Sequence, residues 1–443
     1  MQNLDYRQVV ESIENKRRFG NLKGVEISAI MLEKLGHPEQ GFPMIHIAGT
    51  NGKGSVSAFL RSVLEKAGYK TGMFTSPHLI DFRERIQVGG NMIPEEDVRR
   101  LGNRLLSMDF NVYPTMFDYC LAMALLYFRE QNCDVIILET GLGGTYDSTN
   151  ACGVPDVSVI TKIGFDHMAI LGDTLSQIAA EKAGIIKRGT SLVLESQEEE
   201  AMQPLRKRAE KEKIAGIKTV DWNSIRILPK EDGRPCFTYE EKEAVLAPCG
   251  RWEHLTMKML GVHQYENAVA AILAAEAFWK RQKESGKQAP SAENMYQAIR
   301  DGIAETEWMG RMELVCTNPY FLLDGAHNSN GVDALKRSLE NLYPGEKFHF
   351  IMGVMADKDY GKMIEELLPL ALDFKTVTVE SNRALQGEEL AACIREMGIP
   401  ATACNTISET LPDFSKKTEE KTVVFGSLYF IGEMEGLLKK ITK

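Results

Sequence analysis

Short apolar runs alternate with stretches of helical periodicity along the first half of the chain. Residues 44–48 (MIHIA) are apolar except for one histidine, and beyond a glycine-rich loop the apolar positions of residues 56–67 recur at three- and four-residue spacing. This predicts strand, loop, helix. Residues 134–138 (DVIIL) lead into a second glycine cluster, and residues 156–161 (DVSVIT) into Gly164-Phe165-Asp166-His167. Apolar runs that are continuous rather than alternating predict an α/β fold, a parallel sheet covered on both faces. The pattern restarts at Tyr320, with apolar runs at 320–323, 348–352, 376–379 and 422–425 separated by helix-like segments. That predicts a second doubly wound domain. Residues 301–310 (DGIAETEWMG) separate the two series, which places the boundary near residue 305 and the domains at 1–304 and 305–443.

Other segments add less. Residues 198–213 (EEEAMQPLRKRAEKEK) carry dense charge of both signs and predict a solvated helix. No repeat of solenoid length is visible. The 443 residues, 44% hydrophobic, suffice for two or three ordinary cores. A formal charge of -10 argues against a general nucleic-acid binder, which needs clustered Lys and Arg. Eight scattered cysteines without a C-x-x-C pair predict buried thiols in a reducing compartment. With no leader-like start and no run of about 20 apolar residues, the expectation is a cytoplasmic protein without a membrane partner.

The chemistry concentrates at residues 49–55 (GTNGKGS). A glycine-rich loop that opens a helix after a strand suits a polyphosphate, because the first N–H groups of the helix and its dipole favour negative charge. Lys53 adds a mobile cation. The spacing departs from the usual G-x-x-x-x-G-K-[ST] pattern, since Gly54 separates Lys53 from Ser55. Glu139 ends one apolar run and His167 follows another, so both are expected at the carboxyl edge of one sheet, where ligands of open α/β folds gather. A carboxylate, a serine hydroxyl and an imidazole are possible Mg²⁺ donors. Taken alone, His167 reads as a capping or core histidine, and Lys182 as an exposed helix lysine paired with a carboxylate.

The ordered series of motifs says more than any one of them. GTNGKGS, Phe74-Thr75-Ser76-Pro77-His78-Leu79, Glu139-Thr140-Gly141-Leu142-Gly143-Gly144 and Asp147-Ser148-Thr149-Asn150 resemble the folylpolyglutamate synthase and dihydrofolate synthase family of the Mur ligase superfamily. The resemblance continues through residues 160–167 (ITKIGFDH), Glu181-Lys182-Ala183-Gly184-Ile185-Ile186-Lys187, His263-Gln264-Tyr265-Glu266-Asn267-Ala268 and Gly310-Arg311. It ends with Asp324-Gly325-Ala326-His327-Asn328, Asp357-Lys358-Asp359 and Gly426-Ser427-Leu428-Tyr429.

The resemblance implies a Mur-ligase-like P-loop ATPase domain with a parallel-rich sheet, then a smaller Rossmann-like glutamate-ligase domain. It implies a monomeric, ATP- and Mg²⁺-dependent ligase that adds L-glutamate to a folate or dihydropteroate carboxylate through an acyl phosphate. Asn51, Gly52, Lys53, Gly54 and Ser55 would bind ATP, with Asn267 at adenine, Arg311 at the phosphates, Asp324 near the ribose and His327 assisting. Ser55, Ser76, Glu139, His167 and a CO₂-carbamylated Lys182 would hold magnesium. Lys53, His167, Lys182, Arg311 and His327 would be the catalytic set. Phe117, Asp118, Tyr146, Asp147 and Ser148 would face the pterin substrate.

Three segments depart from the family pattern: Thr145-Tyr146 replaces Arg-Leu, Asp118 replaces glutamate, and residues 21–26 fit loosely. By the resemblance, all three lie in regions that would face the pterin or its glutamate tail rather than ATP, so they bear on substrate identity. The rivals are a Mur-type ligase acting on another carboxylate and a nucleotide-binding regulator without catalysis; joint retention of Lys53, Ser76, Glu139, His167 and Lys182 argues against the regulator.

Overall fold

The computed structural model of the chain describes residues 3–16, 22–241 and 245–441; Asn21, from the loosely fitting early segment, lies outside them. The described residues divide into two compact units, one of residues up to Lys258 with Tyr265–Thr306, the other of Met259–Gln264 with Glu307 onward.

In the first unit an eight-stranded sheet has the order Asn91–Met92, Ile86–Val88, Thr71–Phe74, Val135–Glu139, Met44–Ala48, Val157–Ile160, Ser191–Leu194, Gly216–Thr219. The last six run parallel. The first two form an antiparallel edge. The central strands are buried along their whole length, which explains their continuous apolar runs. Between the sheet and its helices the core includes Phe59, Leu60, Phe74, Leu121 and Phe128, all fully buried. Each such side chain contributes roughly 1.5–3 kcal/mol by leaving water.

The charged segment forms the helix Glu199–Glu212, yet it is not solvated all round: Ala201, Met202, Leu205 and Ala209 bury one face. Apolar positions four residues apart hid inside the charge run. Sequence periodicity also missed a three-stranded antiparallel sheet of Ile225–Glu231, Arg234–Glu240 and Arg251–Thr256.

The second unit has a six-stranded sheet in the order Glu313–Thr317, Tyr320–Leu323, Lys421–Phe425, Phe348–Met352, Ala371–Thr376, Ala401–Ala403. Only its first strand is antiparallel to its neighbour. The strand expected at 376–379 ends at Thr376, where its partner ends at Met352.

The cysteines are not uniformly buried thiols. Cys120, Cys133, Cys152 and Cys236 are buried, but Cys249 is exposed and Cys316, Cys393 and Cys404 are half-buried. No helix among the described residues is long and apolar enough to cross a membrane.

Candidate active site

The glycine-rich loop leaves the carboxyl end of Met44–Ala48, and its helix, Lys53–Lys66, starts inside it. Gly52 caps that helix with φ +89°. A Cβ on Gly52 would stand 2.5 Å from Asn267 Oδ1, so Asn267 lies directly against the loop. The left-handed backbone and the close approach both require glycine. Val56 N donates to Gly52 O, closing the first helical turn. The N–H groups of Lys53, Gly54 and Ser55 therefore occupy the first turn and aim toward the loop, an arrangement suited to an anion.

Protein partners hold the rest of the loop. Thr50 and Asn51 donate their N–H groups to Lys162 O, at 2.9 and 3.2 Å, and Thr161 Oγ1 donates to Asn51 O at 2.7 Å. Lys162 N in turn donates to the Glu195 carboxylate at 2.6 Å. Glu195, which sequence reasoning passed over, is buried, and burial pushes its carboxyl well above the usual carboxylate range. No local motif marked it.

Glu139 is buried at the carboxyl end of its strand, as expected. Its Oε1 lies 3.8 Å from Lys53 Nζ, and its Oε2 accepts from Ser76 N at 3.3 Å. The loop bearing Ser76 is pinned by Glu84, whose carboxylate accepts from Leu79, Ile80 and Asp81 N–H at 2.6–2.9 Å. Glu84 is a second supporting residue that sequence reasoning missed.

Lys182 overturns its reading as an exposed, carboxylate-paired lysine. It ends the helix Leu175–Lys182, is 4% exposed, and donates to Gly49 O at 2.8 Å. Desolvation, followed by the positive charge of Lys53, lowers its pKa to about 7, against weaker opposing effects of Asp166 and Asp147. A lysine so perturbed is substantially neutral near pH 7, the state that can react as a nucleophile.

His167 caps the short helix Met168–Leu171 with φ +51°. Its side chain is 36% exposed, and its Nε2 is 4.0 Å from Asp166 Oδ1. It is therefore a capping residue by position, not a core histidine. Glu139, Ser55 and Ser76 carry oxygen donors of the kind Mg²⁺ takes, and His167 would add a nitrogen that this ion favours less. Lys182 fits as a carbamate, whose oxygens are the hard donors Mg²⁺ takes, whereas the unmodified amine offers only nitrogen.

The expected substrate residues form one connected group. Phe117 packs on Phe74, ring centroids 5.3 Å apart, and on the backbone of Gly141, where a Cβ would stand 2.8 Å from its ring. Asp118 is buried; it accepts from Ser28 Oγ at 2.8 Å, Ser148 Oγ at 2.6 Å, and Thr115 N and Oγ1 at 2.8 and 2.7 Å. Asp147 accepts from Gly141 N and Leu142 N at 2.9 and 2.8 Å and from Thr149 N at 3.0 Å. Burial raises its carboxyl, and these hydrogen bonds oppose the shift. Tyr146 is 46% exposed beneath Lys23, whose Nζ is 3.3 Å from the ring centroid.

In the second unit, Asp324 follows the strand Tyr320–Leu323 and is buried. Its two oxygens accept from Met312 N and Ala326 N, each at 2.9 Å. Burial raises its carboxyl, and the neighbouring Arg311 is the largest opposing influence. Arg311 Nη1 donates to Gly310 O at 3.1 Å, and His327 Nδ1 lies 2.8 Å from Gly325 O. These residues too sit at the carboxyl end of a parallel sheet.

Residues 47–275 match the Mur ligase middle domain, and residues 310–427 the Mur ligase glutamate ligase domain. The chain is 35% identical over 446 residues to the Bacillus subtilis dihydrofolate synthase/folylpolyglutamate synthase, covering 98% of this chain and 99% of that protein. Among solved structures, the Thermotoga maritima folylpolyglutamate synthase superimposes with a TM-score of 0.81 at 30% identity, covering 98% of this chain and 96% of that one. E. coli FolC in complex with DHPP and ADP superimposes with a TM-score of 0.83 at 25% identity, covering 100% of both chains. With matches that run the length of the chain, it belongs to the dihydrofolate synthase/folylpolyglutamate synthase family of Mur ligases.

Proposed function

We propose that this chain is an ATP-dependent ligase that joins L-glutamate to the carboxylate of dihydropteroate, a reduced folate, or both. The observation that carries this reading is the meeting of Lys53, Glu139 and Lys182 around residues 49–55. It is supported by relatives named for this activity and by one solved with DHPP and ADP.

In the first step an oxygen of the pterin carboxylate attacks the γ-phosphorus of ATP. The bond from that phosphorus to the bridging oxygen breaks, ADP leaves, and an acyl phosphate forms. The amine of glutamate then attacks the acyl carbon, inorganic phosphate departs, and the amine proton passes to solvent. Lys53 and the first-turn N–H groups of its helix offset the charge on the transferred phosphoryl group, since such catalysis rests on positioning and electrostatics. Ser55, Ser76, Glu139, His167 and carbamylated Lys182 would hold magnesium, which supplies further neutralisation of phosphate charge.

Asn51 to Ser55 and Asn267 serve the nucleotide in the ATP-binding domain. In the glutamate-ligase domain Arg311 serves the phosphates, Asp324 the ribose, and His327 assists. Phe117 offers its ring to the pterin, Tyr146 and Ser148 border it, and Asp118 and Asp147 position that wall through their hydrogen bonds to it. The reaction belongs to a reducing cytoplasm, with the chain acting as a monomer.

The test is product analysis by mass spectrometry after incubation with ATP, Mg²⁺, glutamate and dihydropteroate or tetrahydrofolate in turn. A glutamylated pterin with stoichiometric ADP is expected from at least one. Absence of glutamate-dependent ADP release with both would overturn the proposal.

A further inference from the structure

The antiparallel sheet of Ile225–Glu231, Arg234–Glu240 and Arg251–Thr256 is used by none of this chemistry. It brings together one oxygen, one sulfur and one nitrogen donor from three strands. The ligand atoms of Glu231, Cys236 and His254 all lie within 4.8 Å of one another. Cys236 Sγ is 3.6 Å from Glu231 Oε2, and His254 Nδ1 is 3.9 Å from the same oxygen. A tetrahedral Zn²⁺ with bonds of about 2.0 Å to nitrogen or oxygen and about 2.3 Å to sulfur sets its ligands roughly 3.3–3.5 Å apart. The sulfur–oxygen separation of 3.6 Å matches this closely, and the nitrogen–oxygen separation of 3.9 Å is wider, within reach of a side-chain rotation at the two exposed donors.

Two bulges flank this arrangement, and the first sets the face of Glu231. Pairing of the first two strands shifts between Arg234 and Cys236, and pairing of the last two between Phe237 and Tyr239. Side chains alternate faces along a regular strand, so Glu231, three residues from Leu228 that pairs with Cys236, would point away from the thiol. The extra residue restores it to the Cys236 face. At the second bulge His254 takes φ +50°, an unusual conformation for a residue with a Cβ. Arg300 holds that backbone by donating to Glu253 O at 2.7 Å and His254 O at 3.1 Å.

Burial differs among the three donors in a useful way. Cys236 is 1% exposed, whereas Glu231 and His254 are open to solvent. An ion resting on the thiolate would be reached from water and could keep a water as its fourth ligand. Thiolate, imidazole and carboxylate together select Zn²⁺ over Mg²⁺ or Ca²⁺, which prefer oxygen alone.

We propose that Glu231, Cys236 and His254 form a Zn²⁺ site, separate from the ligase chemistry, that clips the three strands together. Binding breaks the Cys236 S–H bond, the proton leaves to solvent, the sulfur electron pair makes the metal bond, and nothing is oxidised or reduced.

The test uses the full chain stripped of metal and titrated with Co²⁺, then with Zn²⁺ in competition. One equivalent of Co²⁺ should give a near-ultraviolet thiolate-to-cobalt absorption that Zn²⁺ abolishes. The donors assigned to magnesium contain no sulfur, so this band reports on a thiol, and the two cysteine variants assign it. Cys236→Ser should lose the band, while Cys249→Ser, which changes the exposed thiol, should retain it. His254→Gln lies on the surface and folds independently of the buried thiol; it should weaken Zn²⁺ binding at least about tenfold. No thiolate band in the wild-type chain, a band surviving Cys236→Ser, or unchanged Zn²⁺ affinity in His254→Gln would each overturn the site.

Discussion

The Lys182 ammonium donates to the Gly49 carbonyl at 2.8 Å, tying the helix Leu175–Lys182 to the first residue of the glycine loop across 133 residues of sequence. The contact explains why a lysine is buried there. It also places that lysine close enough to Lys53 for the two charges to repel.

A pH signature follows. The folded-state pKa of Lys182 is about 7 against an ordinary value of 10.5, so below pH 7 the buried group carries its charge at full penalty. From pH 7 to 10.5 the folded chain holds the neutral amine while the unfolded chain still binds the proton, and this group's effect on stability becomes more favourable as pH rises. Lys182→Met removes the penalty. In CO₂-free buffer its melting temperature relative to wild type should be highest near pH 6 and should fall by pH 9, with ligase turnover lost throughout. A difference independent of pH would contradict the burial argument.

Gly52→Ala should raise the KM for ATP more than it lowers kcat. The new Cβ meets both the φ of +89° and the Asn267 side chain at 2.5 Å. Strain of about 1 kcal/mol would appear in urea unfolding. An unaltered KM for ATP would show that the Gly52–Asn267 approach is irrelevant to nucleotide binding.

Asp118→Ala removes the acceptor for four hydrogen bonds, two from Thr115 and one each from Ser28 and Ser148. It also deletes half of the capping box that starts the helix Met116–Glu130. The expected loss is about 2–4 kcal/mol, measured as a lower urea midpoint at constant m-value. Asp118→Asn, which keeps one oxygen, should lose less. Equal losses in the two variants would count against the carboxylate as organiser of this wall.

Arg311→Ala should abolish turnover and leave a folded protein. Arg311 is half-buried and donates to Gly310 O at 3.1 Å. Near-normal kcat with a normal circular dichroism spectrum would remove it from the phosphate site.

Much of this protein was determined by local sequence. The apolar runs at Met44–Ala48, Tyr320–Leu323 and Phe348–Met352 coincide with strands, because a strand buried on both faces is apolar at nearly every position, His46 and His349 excepted. Residues 49–55 and Glu139 were legible for a related reason: a strand end and a helix start are local events with local signatures. The ordered motifs identified the family without any coordinate.

Tertiary structure decided the rest. Residues 376–379 have strong strand propensity, yet the ladder stops at Thr376 because its neighbour ends at Met352, which nothing at 376–379 encodes. The strand Ala371–Thr376 was hidden by its exposed Leu372 and its polar Asp373 and Lys375. Burial of Lys182 depends on Gly49, placement of Asn267 on Gly52, and the fixing of Thr50 and Asn51 on Lys162. The same holds for the three donors on the small sheet, where a bulge returns Glu231 to the face of Cys236. Periodicity reports the environment of a segment averaged over its own residues. It carries no information about which distant residue completes a contact, and it is those contacts that set the charge state of Lys182 and the shape of the loop.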